Sequence, residues 1–169
     1  MGILSGNSKE EPLHYGEVHG VWSAVYTTQG MVAAYQTMMN HVGDKDLKKV
    51  LDEALQLCLQ DLKQLEPLLK EHGVGLPPAP PERPDANLED IPTGARINDP
   101  EVAATLSADV AAGLVACSTM IGQAIREDIA TLFGQMHTQK AQLGGKLLRL
   151  NKEKGWLVPP PLHKGKTEE

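Results

Sequence analysis

The chain is poor in aromatic residues: Phe, Trp and Tyr make up 4% of its 169 residues, and Phe occurs once. Strict apolar–polar alternation is missing as well, so a sheet built on β-branched and aromatic strands is excluded. There are only two cysteines, Cys58 and Cys117. They form no CxxC metal spacing, and free thiols in a reducing cytoplasm are expected. Basic residues do not dominate: Lys and Arg total 16 against 22 Asp and Glu, for a net charge of −6. The nearest thing to a basic patch is Lys152 and Lys154, then Lys164 and Lys166, all beside acidic residues. These read as solvated faces, so no nucleic-acid partner is expected. No apolar stretch reaches the roughly 18 residues of a membrane span. The start, MGILSGNSKEEP, is too short and polar for a secretory signal, and Gly6 stands where a myristoylation pattern needs Ser or Thr. The expectation is a soluble protein of cytoplasmic synthesis with no membrane span.

Glycine and proline punctuate the chain. KEHGVGLPP at 70–78 returns as KEKGWLVPP at 152–160, every aligned position 82 residues later. In each copy a glycine, Gly73 or Gly155, follows a helical pattern as a C-cap, and two prolines prevent the helix from resuming. Six prolines in residues 74–94 rule out helix there. Each long segment flanking this stretch has one break. The first is NHVGD at 40–44, where Gly43 is expected as a left-handed C-cap and Asp44 as an N-cap. The second lies around GQAIREDI at 122–129.

Apolar residues at 3–4 spacing then predict four helices over about 13–41, 45–72, 99–124 and 127–154. Asn98 or Asp99 caps the third, and Pro100 suits its first turn. The chain reads as one all-α domain, 1–169. It is a four-helix up-and-down bundle of two hairpins, 13–72 and 99–154, joined by a long proline-rich crossover at 73–98, with a proline-rich tail at 155–169. One long crossover is the connectivity of ferritin-like folds.

Two stretches carry a family resemblance. KLLRLNKEKGWLVPPP at 146–161, preceded by DIATLFGQMH, resembles the C-terminal portion of the coat F family of spore coat proteins. Nearly the whole chain is similar to an uncharacterised family of spore-forming bacteria, through EPLHYGEVHGVW at 11–22, LPPAPPERP at 76–84 and INDPEVAATLSADVAAGLVACS at 97–118. Members of that family are often labelled spore coat proteins, and many carry two copies of the unit in tandem. The resemblance implies a ferritin-like helical bundle, a spore coat location, and partners that are further copies or other coat proteins. It carries over no catalytic, cofactor or metal residue.

The residues themselves argue against a di-iron centre, which needs a Glu on one helix and Glu-x-x-His on the next in each hairpin. Glu53 and Glu66 are followed three residues later by Gln56 and Leu69, Glu127 by Ala130, and His137 is preceded by Gly134. The third helix offers only Asp109. The densest polar group is His14, Glu17 and His19. His14 and Glu17 share a helix face, placed level with His72 and with the end of the fourth helix. A surface zinc or nickel site from His14, Glu17 and His72 is the sharp reading, and an acid complementing a helix dipole the plain one.

Cys58 and Cys117 should differ in height by roughly 10 Å, too far for a disulfide. Trp22 and Trp156 are expected near one end, and Met31, Met38, Met39, Met120 and Met136 toward the hairpin turns. Pro77, Pro80 and Pro81 are read as a stiff strap rather than a polyproline ligand. The third helix, rich in Ala, is read as tight packing or a self-association face. The expected function is a non-enzymatic structural or interaction protein. The alternative is a ferritin-like metal-binding protein or oxidoreductase with an atypical ligand set. A third reading is a small-molecule bundle with a cavity at the Gly30 and Gly113 level, near His137.

Overall fold

The computed structural model describes residues 11–163. Among them are four long helices, two single-turn 3-10 segments (Leu88–Asp90 and Thr93–Ala95), and no strand. The helices are α1 (Tyr15–Met39), α2 (Lys45–Glu71), α3 (Asp99–Gln123) and α4 (Glu127–Glu153). Their starts follow from local capping. The Asp44 carboxylate accepts from Asp46 N and Leu47 N at the start of α2. His14 with Glu17 and Asn98 with Glu101 form capping boxes at the starts of α1 and α3, and Pro100 lies in the first turn of α3.

The repeated phrase does what its composition requires. Gly73 and Gly155 adopt φ of 71° and 72°. Val74 N donates to Leu69 O and Gly73 N to Lys70 O. In the second copy Trp156 N donates to Asn151 O and Gly155 N to Lys152 O. These are paired Schellman closures, in which the left-handed residue just beyond the helix lets the chain turn back on the last free carbonyls. Gly43 is different from the expectation. It has no positive φ; α1 ends on Asn40 in the right-handed helical region, and Gly43 N donates instead to Asp99 Oδ1.

The helices pair as α1 with α2 and α3 with α4, and the hairpins meet mainly through α2 against α4. The start of α3 lies at the α1–α2 turn, because Asp99 accepts from Gly43 N and Asp44 N. The start of α1 lies at the α3–α4 turn, because Glu17 accepts from Ile125 N and Arg126 N. The two turns are therefore at opposite ends, and the helices run up, down, down, up. Residues 72–98 return the chain from the lower end to the upper end along α1. Trp22 Nε1 donates to Gly75 O low on that path. Higher up, Arg83 N donates to the Gln36 side chain, and the Asn40 amide bonds both Pro84 O and Ala86 N.

This order corrects the expected heights. The end of α4 is level with the start of α2, not with the start of α1. Trp22 packs with the lower core and Trp156 with the upper. Met31, Met38 and Met39 belong to the upper core, Met120 and Met136 to the lower. The error arose from placing both turns at one end, which helical periodicity cannot test.

The core is two apolar clusters stacked along the bundle. The upper one centres on Leu47, Leu51, Val102, Leu106 and Leu147, the lower on Val21, Val25, Leu65, Ile129 and Phe133. Cys58 is in the upper cluster and Cys117 in the lower, both free and buried. α3 departs from a further expectation. An 18-residue window in Thr93–Gln123 reaches a mean hydropathy of 1.5, long and apolar enough to cross a membrane by length and composition, although only 22% of it is buried. Here it packs Val102, Leu106, Val110, Cys117 and Met120 inward.

Candidate functional site

Three polar assemblies stand out, one closing each end and one crossing the middle. At the lower end Glu17 is fully buried. One oxygen accepts from Ile125 N and Arg126 N, both at 2.9 Å, and the other from His14 N at 3.1 Å. Arg126 caps α4 in position but offers it no side-chain bond. Glu17 binds the two N–H groups just ahead of α4 from another helix, placing a negative charge near the helix start where the α4 dipole favours one.

Arg126, 3% exposed, then spreads its guanidinium over this end. Nε and Nη2 bond both Asp128 oxygens, at 3.0 and 2.7 Å. Nη1 donates to Glu11 O and to His72 Nε2. His72 Nδ1 donates to Leu68 O at 2.8 Å, which fixes its tautomer. The forked pair with Asp128 raises Arg126 above its ordinary value and holds Asp128 below the usual carboxylate range.

The residues proposed for a surface metal site are thus brought to one end, with their ligating atoms engaged. His14 Nδ1 accepts from Gly16 N and its Nε2 donates to Gln123 O. Both His72 nitrogens and both Glu17 oxygens are committed, and Arg126 stands between His72 and Glu17. Among the described residues no three His, Cys, Asp or Glu side chains gather as a metal ion requires. His14, Glu17 and His72 serve the architecture of this end.

The upper end brings the corresponding positions together with different side chains. Lys154, the cap residue at the end of α4, donates to Asp44 Oδ2 at 2.6 Å and Asp46 Oδ2 at 3.0 Å. Those bonds hold Asp44 and Asp46 below the ordinary carboxylate range and raise Lys154. Residue 154 lies 82 beyond residue 72, and residue 126 lies 82 beyond residue 44. The same two positions meet at both ends, as His72 with Arg126 and as Lys154 with Asp44.

The middle assembly separates the two apolar clusters. Asp61 on α2 is 1% exposed, and its Oδ2 takes a 2.6 Å bond from Lys140 Nζ on α4. Its Oδ1 has no hydrogen-bond partner. Burial pushes the Asp61 carboxyl above its usual range against the pull of Lys140. On the α1–α3 side, Tyr35 donates to Asp109 Oδ2 at 3.2 Å, and burial again raises both groups. Cys58 lies beside them with its thiol pushed up to about 12 by burial, which makes it an inert side chain rather than a nucleophile. A void of about 30 Å3, bordered by Thr28, Tyr35, Cys58, Asp109 and Lys140, lies within this layer.

Next to it, between α1 and α3, opens a groove of about 370 Å3. Gly113 lines it, as the expected cavity level required, but Gly30 and His137 do not. The polar group at that depth is Lys140. Sequence reasoning missed it because Lys140 looks like an ordinary surface lysine. Its position three residues after His137 and seven before Leu147, near the apolar stripe of α4, was the available signal.

Set against known proteins, the chain is 60% identical over 169 residues to the uncharacterized protein YvdQ of Bacillus subtilis (strain 168), covering 100% of this chain and 99% of that one. The crystal structure of a "putative spore coat protein" (BH2358) from Bacillus halodurans C-125 superposes with a TM-score of 0.92 at 58% identity, over 94% of this chain and 100% of that one. A family model described as a protein of unknown function, DUF3231, matches residues 1–168. With the match running almost end to end, this chain belongs to the DUF3231 family.

Proposed function

We propose that this protein is a non-enzymatic structural component of the spore, acting through contact with further copies of itself or with coat proteins. The observation that carries the reading is the outer face of α3. No charged residue occurs between Asp109 and Arg126. Ala104, Ala108, Ala111, Val115, Ser118 and Gly122 recur at helical spacing and are all exposed, Val115 at 67%. A solvent-facing helix is normally edged with charge, and an uncharged stripe of small side chains marks a surface that another backbone approaches closely. The spore assignment rests on the relative from B. halodurans and on the likeness of residues 146–161 to the coat F family.

The up, down, down, up order with one long return along α1 favours a ferritin-like classification, with residues 73–98 as the proline-rich crossover. The alternative of a ferritin-like metal protein or oxidoreductase finds no ligand set among the described side chains. Near-stoichiometric iron, zinc, manganese or nickel in purified, untagged protein would overturn the structural reading.

The direct test is light scattering over a concentration series. A dimer or larger species at micromolar concentration, returned to monomer by Ala111→Glu with Val115→Glu, is the expected result. A wild-type monomer at millimolar concentration sinks self-association.

A further inference from the structure

The groove between α1 and α3 is an unusual use of small side chains. α1 contributes Gly20, Ser23 and Ala24, and α3 contributes Ala112, Gly113 and Ala116. Such residues ordinarily let two helices touch. Here α1 and α3 make only sparse contact and leave about 370 Å3 between them. Two side chains pack into the walls of the groove. Met120 reaches from α3 to α1, where a Cβ on Gly20 would overlap its thioether. The Lys140 stem crosses α3 at Gly113, where a Cβ would stand 3.1 Å from its Cδ and Cε. Gly20 and Gly113 make room for these side chains, so the groove is shaped by side chains packed into its walls. Its volume falls in the range of about 300–1,000 Å3 typical of small-molecule sites.

A second observation concerns unused hydrogen-bonding groups in the wall. Thr28 is 7% exposed, borders both the groove and the inner void, and makes no side-chain hydrogen bond. Thr37, Thr105, Thr119 and Thr138 turn their hydroxyls back onto the carbonyl four residues earlier. Lys140 Nζ carries three N–H donors, one of them engaged by Asp61.

We propose that this groove is a binding site for a small, uncharged apolar molecule bearing one oxygen acceptor, a ketone, ester or alcohol. The apolar body lies against Met31, Met120, Phe133 and Met136, and the oxygen faces Thr28 and Lys140. The head is neutral for an electrostatic reason. The Lys140 charge is already balanced by a buried carboxylate, and a second anion would have to compete with Asp61 in a poorly solvated layer. A carbonyl or hydroxyl needs only the free donors.

The site rests on the groove alone and stands whether or not the outer face of α3 mediates assembly. Calorimetric titration with a nine-carbon methyl ketone, the nine-carbon primary alcohol and the nine-carbon carboxylate tests it. These probes fit the groove, which follows α1 for roughly 18 Å from His19 to Met31. The ketone and alcohol should bind and the carboxylate bind more weakly. Ala116→Phe, an exposed position on the groove wall, should abolish binding without lowering the thermal midpoint. Thr28→Val should weaken it about five- to tenfold, the worth of one hydrogen bond. No binding of ketone or alcohol, tighter binding of the carboxylate, or binding indifferent to Ala116→Phe would each overturn the proposal. So would a wild-type dimer that binds no probe and falls apart on Ala116→Phe, which would make the groove an interface between copies.

Discussion

Glu17 is the residue on which the lower end depends. Replacing it with Ala removes a fully buried acceptor from the N–H groups of His14, Ile125 and Arg126, the last of them buried, and the loss should be about 3 kcal/mol in urea unfolding. Asp99→Ala removes the matching carboxylate at the upper end, but Gly43 is exposed there, so water can replace it. That substitution should cost about 1 kcal/mol. Equal losses would contradict the burial argument. The pair Asp61 and Lys140 behaves by another rule. Lys140→Met strands a buried carboxylate and should cost about 3 kcal/mol, whereas adding Asp61→Leu should recover most of that, because paired apolar replacements avoid the desolvation penalty. A double variant as unstable as the single would show that the ion pair itself holds the bundle's middle. Of the roles of Glu17, only that of an acid at a helix start was legible in its own neighbourhood. Its other two partners, Ile125 N and Arg126 N, are backbone atoms more than a hundred residues away, and only the offset of 82, which sets Gly43–Asp44 against Ile125–Arg126, pointed to a shared geometry.

For whole elements the sequence was far more informative. The expected helices at 45–72 and 127–154 differ from Lys45–Glu71 and Glu127–Glu153 by one residue at one end. Spacing, caps and closing prolines all agree there. The helices at 13–41 and 99–124 were also found, with α1 two residues shorter at each end. α2 even runs through Pro67, which removes a backbone donor and crowds the carbonyl of Lys63. Pro67 is exposed, so solvent can serve that carbonyl, and the buried Leu65 and Leu69 on either side hold the helix in place. What periodicity could not report was direction. α4 is α2 displaced by 82 at both ends, but α3 is α1 displaced by 84 (99 minus 15, 123 minus 39), because the second turn is two residues shorter. Such numbers fix lengths, not which end of one hairpin meets which end of the other. Gly73→Ala and Gly155→Ala each force a side chain into a left-handed conformation and should each cost about 1 kcal/mol. A clear difference between them in thermal unfolding would mean the two closures are not equivalent.

The molecule as a whole should respond to acid in two opposed phases. The Asp61 and Asp109 carboxyls are raised, so the folded chain binds their protons more readily than the unfolded chain does. Stability should therefore rise as pH falls from neutrality toward the ordinary carboxylate value of about 4. Asp44, Asp46 and Asp128 are lowered by their cationic partners. Their contribution is present above about 4 and is lost as pH falls through the depressed values. Urea midpoints across this range should show a shallow maximum on the acid side of neutrality and a steep fall below it. Asp61→Asn should flatten the rise and Asp128→Asn the fall.

Each hairpin lends a carboxylate to the other's turn, and each receives one. Neither half is a finished object; the chain resembles a clasp whose two parts are moulded to each other and happen to be tied by a cord. Residues 78–87 of that cord are exposed along their whole length. A single protease cut there should leave two fragments that still mate. Their melting would then depend on dilution, because the tie's only loss is the high local concentration it imposed.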